Sequence, residues 1–335
     1  MKVGINGFGR IGRDVARILL ENSIPELELV HINASGDLED LAHLFKYDSL
    51  YGKLKHDIKV DCNFFVVGDN KVKITQFRDP SEIPWKDTEV ELVIDSTGAF
   101  KDMEGLGKHI RDSVKKVILT APGKKLDATI VMGVNCDSYD PNKHNIISNA
   151  SCTTNCLAPV CRVIEEKIGI VKGLMTTCHA YTGDQMLLDK RHKSDRRRAR
   201  AAALSMVPTT TGAAKAVSEV IPSLKGKLTG YALRVPTPTV SVVDVTIELQ
   251  RPSTVEEINS LMKEASETYL KGILKYTEEE LVSIDFQGDE HSSIFDSKLT
   301  MMVGDNLVKL VAWYDNEWGY SMRVVDLAKM IATKN

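Results

Sequence analysis

Cys152 lies in the run Ser148-Asn149-Ala150-Ser151-Cys152-Thr153-Thr154-Asn155-Cys156, and its neighbours set what its thiol can do. Ahead of it, Asn145-Ile146-Ile147 reads as a short strand; behind it, Leu157 to Ile168 has the apolar spacing of a helix. A cysteine at a strand-to-helix junction faces the outward-pointing N–H groups of the first helical turn, and their field favours a thiolate. On this reading Cys152 ionises below an ordinary thiol and acts as a nucleophile, with the Ser151 and Thr153 hydroxyls available to a phosphate or an oxyanion. The competing reading is a buried cysteine beside an N-cap serine. Cys156, one helical turn further on, suits a core or supporting role. No CxxC pair or nearby histidine completes a metal pattern around Cys152, Cys156 and Cys161, so no metal is expected. Six cysteines in 335 residues do not make a disulfide framework.

A second chemistry-bearing stretch opens the chain. Lys2 to Asn6 reads as a buried strand, Gly7-Phe8-Gly9-Arg10-Ile11-Gly12 follows at once, and Arg13 to Glu21 has helical spacing. Strand, GxGxxG and helix place a pyrophosphate on a helix N-terminus. About 20 residues past such glycines an acid commonly holds the ribose hydroxyls. Here Leu27 to Ile32 is a second strand, and Ala34 and Ser35 stand where the acid is expected. Arg78, in Phe77-Arg78-Asp79-Pro80, is a candidate contact for the adenosine end, or a solvated surface arginine.

These groups need a scaffold. Leu38 to Phe45 and Lys101 to Ser113 read as helices. Ile58 to Thr75 alternates like strands around the Gly68-Asp69-Asn70 turn. Glu91 to Asp95, Lys116 to Leu119 (ending at Thr120) and Asp127 to Val134 read as further strands. Alternating strands and helices through residue 149 imply a mostly parallel, doubly wound sheet. Then the texture changes. Val171 to Ala180 is a strand that delivers His179 near its end, and Lys190 to Arg200 is strongly basic. Pro208 to Lys215 reads as a loop into a helix N-terminus, a second anion-binding feature. Tyr231 to Leu249 alternates as an antiparallel sheet with one covered face does. Val255 to Leu270 is an amphipathic helix, Ser283 to Asp315 returns to strands, and a last helix runs to about Ala332.

Composition narrows the function classes. The length favours two domains, and 43% apolar with 27% charged residues is ordinary for a globular protein. A formal net charge of -3 argues against bulk attraction to nucleic acid or an anionic membrane. No segment reaches the ~18 uncharged apolar residues of a membrane span. The chain opens directly on a strand without a signal or transit peptide, so a reducing cytoplasm is expected.

The strings GINGFGRIG, SNASCTTN, HAYTGDQ, RRARAAA, PTTTGAAKA, RVPTPTVSVVD and WYDNEWGYS occur in that order. Together they resemble the phosphorylating glyceraldehyde-3-phosphate dehydrogenases over essentially the whole chain. The resemblance implies a Rossmann-type dinucleotide-binding domain over 1–149, rejoined by the C-terminal helix 316–335. It also implies an α+β catalytic domain with a mainly antiparallel sheet over 150–315. The implied reaction oxidises glyceraldehyde 3-phosphate to 1,3-bisphosphoglycerate, or reverses it, through a Cys152 thioester. His179 is then the acid–base partner. Thr182 and Arg234 hold the substrate phosphate; Ser151, Thr153, Thr211 and Gly212 hold the attacking phosphate. Arg197 matches a further phosphate contact, with Arg198 as its rival in register. Gly7, Gly9, Arg10, Ile11, Gly12, Ala34, Ser35, Arg78, Thr120 and Asn316 fall to the cofactor, Asn316 at the nicotinamide amide. Ala34-Ser35 and Gly183 look like the branch that accepts NADP, so NADP is expected as the preferred cofactor with NAD also used. A homotetramer is implied, with the basic loop reaching a neighbouring subunit's cofactor. Alternatives are an erythrose-4-phosphate dehydrogenase, a binding-only nicotinamide-nucleotide or RNA-binding protein, and a thiol hydrolase.

Overall fold

A computed structural model describes residues 1–334. The chain forms two compact units, one of Met1–Ile130, Cys136–Ala150 and the residues from Ser321 onward, the other of Val131–Asn135 and Ser151–Tyr320. The last helix, Trp318–Lys334, begins in the second and continues in the first.

In the first unit a nine-stranded sheet has Lys2–Asn6 at its centre. Glu28–Asn33 and then Asn70–Thr75 lie to one side; Leu92–Asp95, Lys116–Leu119, Ile146–Ser148 and Ala128–Thr129 lie to the other. All seven of these pair in parallel, and the hairpin strands Phe64–Val67 and Ile58–Asp61 close one edge antiparallel. Strand order therefore reverses at Lys2–Asn6, and the crevice beyond its carboxyl end is where a doubly wound sheet takes its ligand. The core beneath includes fully buried Trp85, packed with Ile83, Val93, Leu106 and Val117.

Two expected elements shrink. Only Met103–Gly107 is helical within 101–113, because Gly105 and Gly107 weaken the helix and Asp112 takes a φ of 52°. Only Ala128–Thr129 of the 127–134 stretch pairs, at the sheet edge.

In the second unit a mainly antiparallel sheet runs Val207–Thr210, Leu228–Val235, Ile170–Ala180, Ser241–Leu249, Leu307–Tyr314, Ser293–Asp296, Leu274–Thr277. The alternating stretch from Tyr231 to Leu249 is thus two strands that do not touch each other. The histidine strand lies between them, antiparallel to Ser241–Leu249 and parallel to Leu228–Val235. Pro236 and Pro238 explain the break, since neither can donate to a ladder. The crossing is pinned where Tyr181 N–H donates to the Thr237 carbonyl at 3.1 Å.

The helix Cys152–Lys167 is apolar on most sides and accordingly buried: Cys156, Leu157, Val160, Cys161, Val163 and Ile164 all lie inside. It packs against the helices Ala213–Val220 and Val255–Glu267 and against the sheet.

Candidate active site

The helix begins at Cys152 itself, one turn earlier than the apolar spacing suggests. Ser151 is the N-cap, its hydroxyl accepting from Thr154 N–H at 3.1 Å, a bond whose loss typically costs about 1 kcal/mol. Just before it, Ala150 adopts φ 56°, in the left-handed region that non-glycine residues rarely enter. That reversal turns the chain from strand into helix and presents the thiol at the helix start.

Cys152 Sγ lies 3.5 Å from His179 Nε2. His179 is the penultimate residue of Ile170–Ala180, and the parallel register sets it opposite Arg234. Its Nδ1 is 2.7 Å from the Ala180 carbonyl oxygen and 2.6 Å from Arg234 Nη1. The Tyr314 ring meets the imidazole edge-on at 5.9 Å, and its hydroxyl bonds Thr153 Oγ1 and Thr177 Oγ1, each at 2.9 Å. Neither Thr177 nor Tyr314 is marked by any spacing in the sequence.

The expectation of a low thiol pKa is corrected. Burial pushes the Cys152 thiol up, and the Arg234 charge with the Thr153 hydroxyl and N–H only partly offsets it. Burial, reinforced by the Arg234 charge, drives His179 down to about 3. Burial also pushes Cys156 up; its sulfur lies near Ser293 Oγ and the Ala312 carbonyl, away from chemistry.

The expected phosphate contacts gather beyond His179. The Thr182 hydroxyl donates to Asp184, and Asp184 pairs with Arg198 Nη1 at 2.6 Å. Arg198 Nε donates to Thr209 Oγ1 at 2.8 Å and lies 3.4 Å from Asp195. Arg198 therefore ties the turn after the histidine strand to the segment leading into Thr211 and Gly212. Arg197 is exposed, its backbone N–H bound to Asp195. Of the two arginines, Arg198 is the one brought to Thr182. Thr211 Oγ1 accepts from Ala213 N–H, and Gly212 caps Ala213–Val220 with open space where a side chain would stand. Arg234 Nε is buried without a partner. Asn316 is held by Ser241, whose hydroxyl accepts from Ala180 N–H and donates to Asn316 Oδ1 at 2.9 Å. Asp315 beside it accepts from Glu317 and Trp318 N–H.

In the first unit, Gly7, Gly9, Ala34, Ser35 and Arg78 line a pocket of about 580 Å³ with Asn6, Arg13, Asn33, Thr97 and others. A Cβ at Gly12 would stand 2.1 Å from the Gly7 carbonyl oxygen, whereas one at Gly9 would meet nothing within 4 Å. Gly12 thus permits the close helix–strand approach, and Gly9 leaves room for a ligand against the backbone. This is the cradle a dinucleotide pyrophosphate requires. Asn33 Nδ2 donates to the Phe77 carbonyl at 2.8 Å and its Oδ1 accepts from Phe77 N–H, holding the segment that carries Arg78. Ala34 is buried, and Asp37, the next acid along, caps Leu38–Lys46 through Glu39 and Asp40 N–H. Arg10 turns aside to pair with Asp48, and Thr120 bonds the Asp95 carbonyl through its N–H and hydroxyl. Ile11 is part of the helix Arg10–Glu21.

Among the described residues no group of three or more His, Cys, Asp or Glu could hold a metal, all six cysteines are free, and no helix is long and apolar enough to cross a membrane.

Comparison with known proteins bears on both units. Residues 1–103 match the family model "Glyceraldehyde 3-phosphate dehydrogenase, NAD binding domain", and 151–316 match its C-terminal domain. The chain is 56% identical over 335 residues to glyceraldehyde-3-phosphate dehydrogenase 2 of Nostoc sp., covering 100% of this chain and 99% of that protein. It is 55% identical over 334 residues to the enzyme of Geobacillus stearothermophilus, with the same coverage. It is 54% identical over 336 residues to the chloroplastic form A of Chlamydomonas reinhardtii, covering 100% of this chain and 89% of that protein.

Proposed function

Because the chain belongs to the glyceraldehyde-3-phosphate dehydrogenase family, we propose that Cys152 and His179 carry out its covalent chemistry. The protein is an NAD(P)-dependent phosphorylating glyceraldehyde-3-phosphate dehydrogenase, with a Rossmann-type unit and an α+β catalytic unit. The observation that carries the residue assignment is the 3.5 Å approach of Cys152 Sγ to His179 Nε2 at a helix start.

As the aldehyde carbon nears Sγ, the thiol proton passes to Nε2 and the sulfur adds to the carbonyl, forming a hemithioacetal. The Cys152 N–H stabilises the oxyanion, and His179 Nε2–H gives the proton back to it as the hemithioacetal hydroxyl. His179 then takes the hydroxyl proton as the hemithioacetal collapses toward a thioester. When bound, the nicotinamide supplies the acceptor for the departing hydride, and Asn316, held by Ser241, orients its amide. Inorganic phosphate attacks the thioester carbon, the acyl phosphate leaves, and Sγ recovers its proton from His179.

Thr182, Arg198 and Arg234 hold the phosphate of the substrate and, with Ser151, Thr153, Thr211 and Gly212, the attacking phosphate. Arg198 replaces Arg197 here because it alone of the two bonds the Thr182–Asp184 turn. Gly7, Gly9 and Gly12 cradle the pyrophosphate and Arg78 the adenosine end. Arg10, Ile11 and Thr120 act around that pocket. NADP is preferred over NAD: the pocket presents Ala34 and Ser35 with two arginines, and Asp37 is engaged as a helix cap. Free cysteines suit a cytoplasmic location, and the working assembly is a homotetramer, as in the family.

The test is steady-state kinetics with NADP and NAD, with and without inorganic phosphate. Phosphate-dependent turnover of glyceraldehyde 3-phosphate is expected, with NADP ahead of NAD. Faster turnover of erythrose 4-phosphate would move the substrate assignment, and a tenfold lead for NAD the cofactor assignment.

A further inference from the structure

The strand Ser241–Leu249 starts from a backbone conformation that its sequence does not favour. Val240, just before it, takes φ 65°, in the left-handed region where a β-branched residue is an outlier. Its neighbours hold it there. The Val240 side chain is buried with Phe286 and Ile294. On one side the Thr239 hydroxyl donates to Asp315 Oδ1 at 3.2 Å, and on the other the Ser241 hydroxyl donates to Asn316 Oδ1 at 2.9 Å. The ladder between Ser241–Leu249 and Leu307–Tyr314 ends at the pair Ser241 and Tyr314, and these two side-chain bonds carry the connection onward. Strain that the surroundings over-determine in this way clusters at functional sites.

Ser241 is fully buried, and its hydroxyl has one proton to place and two lone pairs to offer. Ala180 N–H donates to the oxygen at 3.0 Å. Among the described residues the proton has one acceptor, Asn316 Oδ1. An Asn316 amide turned end for end would set Nδ2 against the same oxygen. The oxygen could accept that bond as well, but its own proton would then be buried without an acceptor, which costs more than an ordinary hydrogen bond contributes. Oδ1 therefore stays toward Ser241, and Nδ2 points away from it. Asn316 is itself only 4% exposed, and Nδ2 has no partner among the described residues. The result is a buried side chain that accepts on one side and is free to donate on the other.

We propose that Ser241 is a positioning residue that makes Asn316 a reader of carbonyl oxygen. With Oδ1 engaged, Asn316 meets the nicotinamide carboxamide by the oxygen and not by the amino group. This rests on the assignment of Asn316 to the nicotinamide amide. A carboxamide has a donor end and an acceptor end of nearly equal size, and an asparagine free to turn would serve either. Fixing Asn316 fixes the end it meets. The conformation of Val240 has its place in this, since it sets the Ser241 hydroxyl between Ala180 N–H and Asn316.

The test measures dissociation constants by fluorescence titration for the oxidised cofactor and two analogues altered only at the carboxamide. The 3-acetylpyridine analogue keeps the carbonyl oxygen and replaces the amino group by methyl. The thionicotinamide analogue keeps the amino group and replaces the oxygen by sulfur, a poorer acceptor. In the natural protein the acetylpyridine form is expected to bind within about threefold of the cofactor, and the thionicotinamide form about tenfold more weakly. In Ser241→Ala nothing directs the amide, and the gap between the analogues should close to about threefold or less. An absent or reversed gap in the natural protein overturns the proposal, and that measurement needs no variant. A gap that survives in Ser241→Ala, with an unfolding midpoint showing the variant folded, overturns it too, because sulfur's size or another residue then sets the preference. Asn316→Ala separates this from the reading beneath it. If it leaves all three constants unchanged, Asn316 is not at the nicotinamide and both fail. If it weakens the cofactor while the natural protein shows no gap, the role of Ser241 alone fails.

Discussion

The nucleotide pocket and the candidate catalytic centre are both lined with buried polar groups, but their hydrogen bonds are arranged differently. Behind the pocket, Trp85 Nε1–H donates to His109 Nδ1, so His109 Nε2–H donates to Asp95 Oδ2 at 3.2 Å. Asp95 also accepts from Asn6 Nδ2, Thr97 N–H and the Thr97 hydroxyl. Asn33 Nδ2 donates to Asn6 Oδ1, Thr75 Oγ1 donates to Asn33 Oδ1, and His31 Nε2 completes the chain at Thr75. Donors meet acceptors along this chain, and together the bonds close a network that ties the strand ends to their loops. Around His179 the same count leaves Nδ1 claimed as donor by Ala180 and as acceptor by Arg234. The first arrangement is closed, the second open.

Breaking the open centre should produce the largest effect on turnover and none on cofactor binding. Cys152→Ser is expected to abolish dehydrogenation while a fluorescence titration gives an unchanged cofactor Kd. His179→Asn should slow turnover by about a hundredfold or more. Residual turnover near the natural rate in Cys152→Ser would remove the covalent mechanism.

Breaking the closed network should show in stability instead. Asp95→Leu strands the Asn6, His109 and Thr97 donors, and an unsatisfied buried donor costs about 1–3 kcal/mol. Urea unfolding should therefore show a loss of about 3 kcal/mol or more. A loss within experimental error would mean that water replaces the carboxylate.

Arg234→Leu sharpens the contrast within the active site. Removing a charge-assisted contact of ~1.5–3 kcal/mol should raise KM for the phosphorylated aldehyde by about tenfold or more, with cofactor KM unmoved. An unchanged aldehyde KM takes Arg234 out of the site.

Ala34→Asp probes the pocket, where it restores an acid that accepts from ribose hydroxyls and repels a 2′-phosphate. The ratio of kcat/KM for NADP to that for NAD should fall by about tenfold. A ratio that does not move would separate cofactor choice from position 34.

The smallest effect is common to both regions. Burial, with the charge of Lys73, holds His31 down to about 4, and His179 lies lower still. Between the ordinary imidazole value near ~6.5 and these lower ones, the unfolded chain binds more protons than the folded one. Stability therefore rises with pH through that window and is lost as pH falls from ~6.5 toward 4. Urea midpoints across this range check the slope, and His31→Gln should flatten it.

Much of the fold was legible in order. The strand, glycine loop and helix of residues 2–21 are a local pattern, and their geometry follows from backbone sterics at Gly7 and Gly12. The N-cap role of Ser151 was equally local. Less legible were the elements whose ends depend on partners. The helix expected over 101–113 stops at Gly107, and the strand expected from Asp127 keeps two residues because its outer edge is unpaired. In the site, Arg198 and Arg197 are adjacent and alike in sequence, and only Asp184 and Thr209 distinguish them.

The sequence by itself determined the reaction family and singled out a candidate thiol, a candidate histidine and a glycine cradle, because each is a short string whose chemistry is local. It did not determine the ionisation of Cys152. The helix start was readable, but not that burial is the largest influence on the thiol and pushes it up. Nor did it determine that Leu228–Val235 lies beside Ile170–Ala180 in parallel, in the register that sets Arg234 against His179. Alternation of apolar and polar residues says which face of a strand is buried, whereas the choice of neighbour depends on how the whole sheet assembles. That choice set the Arg234 guanidinium against the His179 ring.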